Sequence, residues 1–299
     1  MIKALEEQKV LILESEQVYR NPVIYRQKRQ KEIIYTEEQK IAIRKFSGDY
    51  DRKIYKTYLL YGVTGSGKTE VYMEMIAKVL NDGRQAIVLI PEIALTYQTV
   101  MRFYTRFGER VSILNSRMSQ GERYDQMERV KKGEVDIMIG PRSALFTPFE
   151  KLGLIVIDEE HEPTYKSEQV PRFHARETAI ERARMEGASV VLGSATPSLE
   201  AFYACECGRY QMLRLKMRTR KQELPQVYVA DMRAELKHGN RSILSDRLEE
   251  LMQDRLDKKE QMMLFLNRRG YAGFVSCRAC GYVVKCPHCD VSLSGTQRW

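Results

Sequence analysis

Five short, nearly continuous apolar runs constrain the fold of this chain more than any other feature. They are "TYLLYG" (57–62), "QAIVLIP" (85–91), "VDIMIG" (135–140), "LGLIVIDEE" (152–160) and "ASVVLGSATP" (188–197). Segments long enough to form helices separate them, and runs of this kind are typical of parallel strands that are buried on both faces. The sequence therefore predicts an α/β fold, a parallel sheet covered by helices, over about residues 36–200.

The composition is that of a basic globular protein. Its 299 residues carry a net charge of +9, which by itself favours a nucleic-acid partner only slightly. No apolar stretch approaches the roughly 18 residues of a membrane helix, and the opening "MIKALEEQKV" has no signal-peptide core. We therefore expect a cytoplasmic protein with no membrane partner.

A phosphate-binding loop follows the first apolar run. The stretch "YGVTGSGKTEVY" (61–72) is a Walker A pattern placed between a predicted strand and a predicted helix. Its glycines let the backbone wrap around phosphate oxygens, so that N–H groups and the helix N-terminus face the anion. Lys68 is expected to reach the β- and γ-phosphates of ATP, and the Thr69 hydroxyl to ligate Mg²⁺. The residues predicted to bind nucleotide here are Gly62, Gly65, Ser66, Gly67, Lys68 and Thr69.

An acidic pair ends the fourth apolar run. Asp158 and Glu159 directly follow a predicted buried strand, which places them at the carboxyl edge of the sheet, where ligands of parallel sheets bind. Asp158 is expected to hold Mg²⁺, usually through water, and Glu159 to orient and deprotonate the water that attacks the γ-phosphate. A small-molecule kinase would not need the adjacent glutamate, so the pair favours ATP hydrolysis.

Small residues end the fifth apolar run. In "VVLGSATPSLE" (190–200) the hydroxyls of Ser194 and Thr196 are expected to sense the acidic pair and to relay the state of the bound nucleotide. Taken alone, this stretch is also typical of an ordinary turn from strand to helix. Its position after the Walker A loop and the acidic pair makes the functional interpretation much more specific.

In this order the three motifs resemble the first RecA-like lobe of superfamily 2 helicases. The acidic motif DEEH (158–161), "PEIALTYQ" (91–98), "GPRSALFTPF" (140–149) and "FLNRRGYA" (265–272) narrow the resemblance to the PriA family of bacterial replication-restart helicases. The resemblance covers about residues 5–293. It implies an ATP-dependent DNA helicase of the primosome that moves 3′ to 5′. It also implies single-stranded and forked DNA, other primosome proteins and single-stranded DNA-binding protein as partners, close to the nucleoid.

The resemblance also assigns residues to ligands. Gln39 in "YTEEQKIAI" (35–43) would contact adenine. Loop residues at the predicted sheet edge would lie against single-stranded DNA, and their hydroxyls, amides and guanidinium groups suit phosphate contacts. Taken singly, each of them is equally compatible with a helix cap or a surface turn. These residues are Pro91, Glu92, Ser116, Arg117, Pro141, Arg142 and Ser143.

Two CxxC pairs near the end of the chain, Cys277/Cys280 and Cys286/Cys289, predict bound zinc. In the family, four such pairs bind two zinc ions, and the resemblance assigns the two pairs present here to different ions. The five residues between the pairs also make a short connection for a single Cys₄ site, since zinc knuckles are usually about 15–20 residues apart. A single strained Cys₄ zinc site stays open as the alternative.

Together these features predict four segments. Residues 1–34 resemble the end of a winged-helix domain with a linker, 35–203 form the ATP-binding lobe, 204–266 connect it to the start of a second lobe, and 267–299 hold a partial zinc-binding module. The closing "SLSGTQRW" does not resemble the family's continuation, so we expect a truncated piece. Because it holds one complete lobe, we expect it to bind ATP, to hydrolyse it slowly and to unwind DNA weakly or not at all.

Two other functions stand beside this prediction. The first is a catalytically inactive module that binds nucleotide and DNA. The second, a P-loop kinase or transporter ATPase, is disfavoured because the sequence shows no acceptor-site motif or ABC-type signature and because such an enzyme leaves the cysteine pairs unexplained.

Overall fold

The computed structural model describes residues 33–92, 94–219, 225–265 and 282–288, together with Cys277 and Cys280. The chain divides into two compact units, Met1–Gln222 and Glu223–Trp299.

Seven parallel strands form one sheet in the first unit. They are β1 (Thr57–Gly62), β2 (Gln85–Leu89), β3 (Val111–Ile113), β4 (Ile137–Gly140), β5 (Leu152–Ile157), β6 (Ser189–Ser194) and β7 (Gln211–Leu215). Their order across the sheet is β3-β4-β2-β5-β6-β1-β7, and each neighbouring pair runs parallel. The strands β5, β6 and β1 are therefore neighbours, and the loops that follow them leave from the same edge of the sheet.

Helices cover both faces of this sheet. Those in the described part of the unit are α1 (Glu37–Asp51), α2 (Lys68–Asn81), α3 (Tyr97–Phe107), α4 (Gln120–Lys131), α5 (Ala175–Glu186) and α6 (Leu199–Glu206). Buried residues of α1, α2 and α3 belong to the apolar cluster on one face, and those of α4, α5 and α6 to the cluster on the other. Short 3₁₀ helices lie at Gly108–Arg110, Arg142–Phe146 and Pro163–Tyr165.

The side chains of β5 show why the sheet is buried on both sides. Leu154 and Val156 pack in the cluster with α1, α2 and α3, whereas Ile155 and Ile157 pack in the cluster with α4, α5 and α6. All residues of β5 are buried, so the strand appears in the sequence as an unbroken apolar run. The predicted α/β fold with a parallel sheet is confirmed.

The five predicted strands are present, and the two strands that were not predicted lie at the edges of the sheet. The strand β3 has only three residues, which is too short to stand out as an apolar run. The strand β7 is partly exposed and includes Arg214, as is common for an edge strand. Because β7 pairs with β1, the sheet extends beyond the predicted lobe boundary at residue 203.

The described part of the second unit contains two helices. They are α7 (Met232–Lys237) and α8 (Asp246–Asp257), and α8 is capped by the Ser245 hydroxyl. The run "QMMLFLNRRGYAGFVSC" (261–277) predicts a strand, but residues 261–265 form no strand, and Met263 and Phe265 are 92% and 81% exposed. An isolated extended segment lacks partners for its backbone N–H and C=O groups, and no strand among the described residues of this unit pairs with it.

Candidate active site

The loop between β1 and α2 has the backbone that the Walker A pattern predicts. Gly65 and Gly67 adopt left-handed φ angles of 81° and 80°, a region that glycine enters at little cost. The Ser66 N–H donates to the Val63 carbonyl at 3.0 Å, which closes the loop. A Cβ atom at Gly62 would stand 2.6 Å from Ser66 Oγ, so the first glycine is needed for close packing inside the loop.

Gln39 supports this loop from α1. Its Nε2 donates to the Ser66 carbonyl at 2.8 Å, and its Oε1 accepts from the Thr36 N–H at 2.8 Å, so that it also completes the capping box of α1. A Cβ atom at Gly67 would overlap Gln39 Nε2. The predicted contact between Gln39 and adenine stays a prediction, while the structure gives this buried side chain a second role, holding the phosphate loop.

Lys68 lies between the phosphate loop and the acidic pair. Its Nζ donates to the Gly62 carbonyl at 3.0 Å and lies 4.0 Å from Glu159 Oε1. The lysine side chain is only 10% exposed, so water screens its charge weakly. Lys68 and Glu159, which are far apart in the sequence, therefore lie close together at one end of the sheet.

Two tyrosines hold Asp158. The hydroxyl of Tyr72, on α2, donates to Asp158 Oδ1 at 3.1 Å, and the hydroxyl of Tyr165 donates to the Asp158 carbonyl at 2.7 Å. Burial, followed by the neighbouring charge of Glu159, raises the pKa of Asp158 to about 6. The sequence analysis missed both tyrosines, and the Y in "KTEVY" gave no signal, because Tyr72 and Asp158 are 86 positions apart.

Gly193 explains how Tyr72 reaches Asp158. A Cβ atom on Gly193 would overlap the Tyr72 hydroxyl, so only a glycine at this point of β6 leaves room for the tyrosine. Tyr72 is 1% exposed and therefore has little freedom to move aside. The glycine of the predicted "GSAT" turn is thus required by packing against α2, and through Tyr72 it affects the position of Asp158.

His161 connects the acidic motif to the turn after β6. Its Nδ1 lies 2.8 Å from Ser194 Oγ and 3.7 Å from Glu159 Oε2, and its Nε2 lies 3.4 Å from Thr196 Oγ1. Ser194 and Thr196 were predicted to sense the acidic pair, and the structure places His161 between them and Glu159. Glu159 itself has a left-handed φ of 47°, an uncommon conformation for a residue other than glycine.

Glu160 has a structural role distinct from that of its two acidic neighbours. It is 1% exposed and forms an ion pair with Arg176 Nη1 at 3.1 Å. The Ser198 N–H and hydroxyl donate to its two carboxylate oxygens at 2.7 and 3.0 Å. Glu160 therefore anchors the acidic motif to α5 and to the start of α6, which leaves Asp158 and Glu159 to face the phosphate loop.

These groups surround one pocket of about 510 Å³. It contains most of the predicted nucleotide residues and the acidic pair, and Arg102 of α3 reaches it and donates to Glu70. The loop N–H groups, the lysine and the oxygens of Thr69 and Asp158 match the donor set that a nucleotide with Mg²⁺ requires. Its lining residues are Ile33, Ile34, Gln39, Thr64, Gly65, Ser66, Gly67, Lys68, Thr69, Glu70, Arg102, Asp158, Glu159 and Thr219.

A second, polar groove of about 600 Å³ opens at the same edge of the sheet. Within it, Ser116 Oγ donates to Glu92 Oε2 at 3.0 Å, and Arg142 Nη1 donates to the carbonyls of Thr164 at 2.9 Å and Lys166 at 2.6 Å. The groove brings together all but one of the residues predicted to lie against DNA, the exception being Arg117. Its lining residues are Pro91, Glu92, Asn115, Ser116, Arg123, Pro141, Arg142, Ser143, Thr164, Tyr165 and Gln169.

The predicted zinc ligands lie in the second unit. Cys277, Cys280 and Cys286 belong to the described residues, whereas Cys289 lies outside them. Among the residues that the structure describes, no group of three or more histidine, cysteine or acidic side chains is arranged to hold a metal ion. Zinc binding by the four cysteines therefore stays a prediction.

Sequence comparison defines the class of this protein. The DEAD/DEAH box helicase family matches residues 36–203, which include the phosphate loop, the acidic motif and the turn after β6. The chain therefore belongs to the DEAD/DEAH box helicase family. No helix among the described residues is long and apolar enough to cross a membrane.

Particular relatives agree with the resemblance seen in the motifs. Replication restart protein PriA of Bacillus subtilis is 49% identical over 289 residues, which are 96% of this chain and 36% of that protein. Replication restart protein PriA of Synechocystis is 49% identical over 247 residues, 80% of this chain and 30% of that protein. Among solved structures, the DUF1998 helicase MrfA aligns with a TM-score of 0.49 at 18% identity, covering 79% of this chain and 39% of that one. The predicted resemblance to PriA is confirmed, and the chain spans about a third of the length of these two PriA proteins.

Proposed function

We propose that this chain binds and hydrolyses ATP in the phosphate-loop pocket and does so as part of a DNA helicase for replication restart. One observation carries the proposal: Lys68 Nζ lies 4.0 Å from Glu159 Oε1, in a pocket that also contains Asp158 and the loop glycines. The PriA relatives, which match 80% and 96% of the chain, support the link to replication restart.

The polar groups around the phosphate loop and the acidic motif have the following proposed roles. Lys68 and the loop N–H groups bind the phosphates, and Thr69 with Asp158 would hold Mg²⁺, which supplies charge neutralisation at the transferring phosphate. Glu159 orients a water molecule and accepts its proton. His161, 3.7 Å from Glu159, links this carboxylate to Ser194 and Thr196, so these two hydroxyls follow the state of the site.

The polar groove is the proposed binding site for single-stranded DNA. It lies at the carboxyl edge of the sheet, like the nucleotide pocket, and presents hydroxyl, amide and guanidinium groups. The resemblance to PriA supports forked DNA as a further substrate and movement from 3′ to 5′. It also supports other primosome proteins and single-stranded DNA-binding protein as partners at the nucleoid.

Zinc is proposed as a second metal, bound by Cys277, Cys280, Cys286 and Cys289. The CxxC spacing supports this, because thiolate pairs on short knuckles are typical zinc ligands. Metal analysis of the purified chain tests it, since a protein without stoichiometric zinc would contradict the proposal. One zinc ion per molecule would favour the single Cys₄ site over the assignment of the two CxxC pairs to different ions.

The proposed function is tested by ATP hydrolysis with and without a single-stranded oligonucleotide. We expect DNA to stimulate turnover and Lys68→Ala to reduce it by roughly 100-fold or more, because the phosphates lose their main cation. A matched control is Lys78→Ala, which removes a lysine from the same helix that pairs at 2.6 Å with Asp51.

Three results have distinct meanings. Loss of turnover in Lys68→Ala but not in Lys78→Ala supports the proposed ATPase. Equal turnover in the parent chain and in Lys68→Ala would contradict it. Binding of nucleotide and DNA without stimulated turnover would instead favour the inactive binding module.

A further inference from the structure

The phosphate loop is contacted by a segment that lies outside both the predicted lobe and the family match. The strand β7 is parallel to β1, with Leu215 opposite Gly62, so the residues after β7 leave the sheet next to the phosphate loop. The Val63 N–H donates to the Leu215 carbonyl at 3.2 Å. Because the DEAD/DEAH box match ends at residue 203, residues 215–219 add a part of the site that the motifs do not contain.

Thr219 holds one peptide of the loop from outside. Its N–H and its hydroxyl both donate to the Gly65 carbonyl, each at 3.1 Å. The carbonyl and the N–H of a trans peptide point in opposite directions, so these bonds also orient the Ser66 N–H, which donates to the Val63 carbonyl. The Thr219 methyl group would stand 3.1 Å from a Cβ atom at Gly67, and the threonine therefore also lies against the second left-handed glycine.

Glu38 fixes this segment to the first turn of α1. Its Oε2 accepts from the N–H groups of Lys216 at 2.7 Å and Met217 at 3.2 Å, so a single carboxylate oxygen binds two successive main-chain donors. Hydrogen bonds to a carboxylate are stronger than those between neutral groups. The helix α1 thus supports the loop in two ways, directly through Gln39 and indirectly through Glu38 and the segment that ends at Thr219.

These contacts affect nucleotide binding because the loop is rich in glycine. Glycine enters many backbone conformations, so Gly65 and Gly67 would cost conformational entropy if the loop became ordered only when the nucleotide binds. A loop that is ordered beforehand avoids this cost. Gln39 and Thr219 hold two successive peptides by their carbonyls, and the loop therefore has its conformation before a phosphate arrives.

We propose that Thr219 and Glu38 are positioning residues that hold the phosphate loop in its nucleotide-binding conformation. Thr219 acts through the Gly65 carbonyl, and Glu38 acts through the main chain of residues 216–217. The inference rests on the proposed function, because it takes this pocket to bind ATP. It extends the nucleotide site to the segment that follows β7.

Nucleotide affinity and turnover separate positioning from catalysis. The dissociation constant of ADP and the turnover at saturating ATP are measured in the full chain and in Thr219→Val, Thr219→Ser and Glu38→Ala. Thr219→Val removes the hydroxyl at nearly constant size, whereas Thr219→Ser keeps it and should bind ADP like the parent. We expect ADP affinity to fall about fivefold in Thr219→Val and Glu38→Ala, with turnover at saturation changed less than about twofold, because bound phosphate restores the loop.

Two matched controls test whether the effect is specific. Glu37→Ala removes the neighbouring carboxylate from the same helical turn, where Glu37 pairs with Lys40 at 2.7 Å. Thr105→Val removes a hydroxyl that also donates to a main-chain carbonyl, that of Met101 at 2.7 Å, within α3. Both variants should keep the ADP affinity of the parent. Affinities are compared at a temperature at which thermal unfolding shows every variant to be folded.

The binding results have distinct meanings. Equal ADP affinity in the parent, Thr219→Val and Glu38→Ala would overturn the inference. Lower turnover with unchanged affinity would make Thr219 a catalytic residue instead. Weaker binding in Thr219→Val alone would make Thr219 a direct ligand of the nucleotide and would also overturn it, because the described lining of the pocket includes Thr219 but not Glu38.

Hydrogen–deuterium exchange tests the inference in the absence of nucleotide. Peptides that cover residues 62–68 should exchange faster in Thr219→Val and Glu38→Ala than in the parent, because the loop opens more often. Exchange at the parent rate in both variants would overturn the inference, independently of the ATPase result. Faster exchange in the variants of a chain that binds no nucleotide would contradict the proposed function but would still support the hold of these two residues on the loop.

Discussion

Two aspartates at different places in the first unit each accept a hydrogen bond from a tyrosine hydroxyl, but their electrostatic surroundings are opposite. Asp49, at the end of α1, accepts from the Tyr58 hydroxyl at 3.1 Å and pairs with Arg52 at 2.8 Å, Lys56 at 3.4 Å and Lys45 at 3.5 Å. Burial pushes the pKa of Asp49 upward, but the Tyr58 hydroxyl and the charges of Lys56 and Lys45 outweigh it and lower the pKa overall.

Asp158 accepts from the Tyr72 hydroxyl at the same distance of 3.1 Å. In the described part of the chain it has no lysine or arginine ion-pair partner, because Lys68 is paired with Glu159. Its pKa is raised to about 6, first by burial and then by the charge of Glu159. The fold thus balances the charge of Asp49, and in the proposed function the charge of Asp158 is left for Mg²⁺. A hydrogen bond of the same kind stabilises the protein in one region and would hold the proposed metal ligand in the other.

The largest expected difference follows when each carboxylate is made neutral. Asp158→Asn should lower ATP turnover by roughly 100-fold or more, about 3 kcal/mol of transition-state stabilisation, because the proposed Mg²⁺ ligand is lost. Asp49→Asn should leave the turnover of the folded protein unchanged. It should reduce the free energy of unfolding by roughly 2 kcal/mol, because three cations lose their partner.

Whereas Asp49→Asn should reduce the free energy of unfolding, Asp158→Asn should increase it at pH 8. A pKa raised in the folded state means that ionisation above pH 6 penalises the fold, and asparagine removes this penalty, worth about 1 kcal/mol after solvent screening. Chemical denaturation of both variants at pH 8, beside a coupled ATPase assay, measures the contrast. An Asp158→Asn protein that is less stable than the parent at pH 8 would contradict this prediction.

Substitution of the two tyrosines should have smaller effects, but each substitution removes only one hydrogen-bond donor. Tyr72→Phe removes the donor to Asp158 and should lower turnover about five- to tenfold, equivalent to about 1 kcal/mol for one hydrogen bond. Tyr58→Phe removes the matched donor to Asp49 and should cost about 1 kcal/mol of stability without a change in turnover. If the two variants behave alike in both assays, the distinction between a structural and a functional aspartate is wrong.

The smallest effect is expected for the change of nucleotide affinity with pH. With a pKa of about 6, Asp158 takes up a proton as the pH falls through that value, and the protonated group binds Mg²⁺ poorly. Magnesium-dependent affinity for nucleotide should therefore be about fourfold weaker at pH 5.5 than at pH 7.5. The nucleotide also titrates in this range, so Asp158→Asn serves as the reference. If the nucleotide affinity of the parent and of Asp158→Asn changes with pH in the same way, the pH dependence does not come from Asp158.

The features that were predicted correctly from the sequence are those that depend on residues close together in the chain. The phosphate loop, the acidic pair and the central strands each lie within one continuous stretch whose pattern has a local physical cause. For example, β5 is recognisable because every one of its residues is buried. Family resemblance placed residues of the polar groove on three separate loops, and the parallel order of the strands then brings these loops to one edge of the sheet.

The contacts that the sequence did not predict join distant positions. Tyr72 and Asp158 are 86 residues apart, and the role of Gly193 depends on how closely α2 approaches β6. The same holds for the pairing of Glu160 with Arg176, since an acidic motif alone does not reveal which carboxylate turns into the core. Such contacts depend on packing distances between elements, for which one sequence holds no pattern.

The close packing of Tyr72 on Gly193 restricts how descendants of this protein can diverge. Alanine at position 193 would push the tyrosine ring away, and a smaller residue at position 72 would deprive Asp158 of its donor. Neither substitution is harmless as the first step, so lineages that retain the proposed ATPase should inherit the two positions as a unit. Change at either position would mark lineages in which selection on that activity has ended.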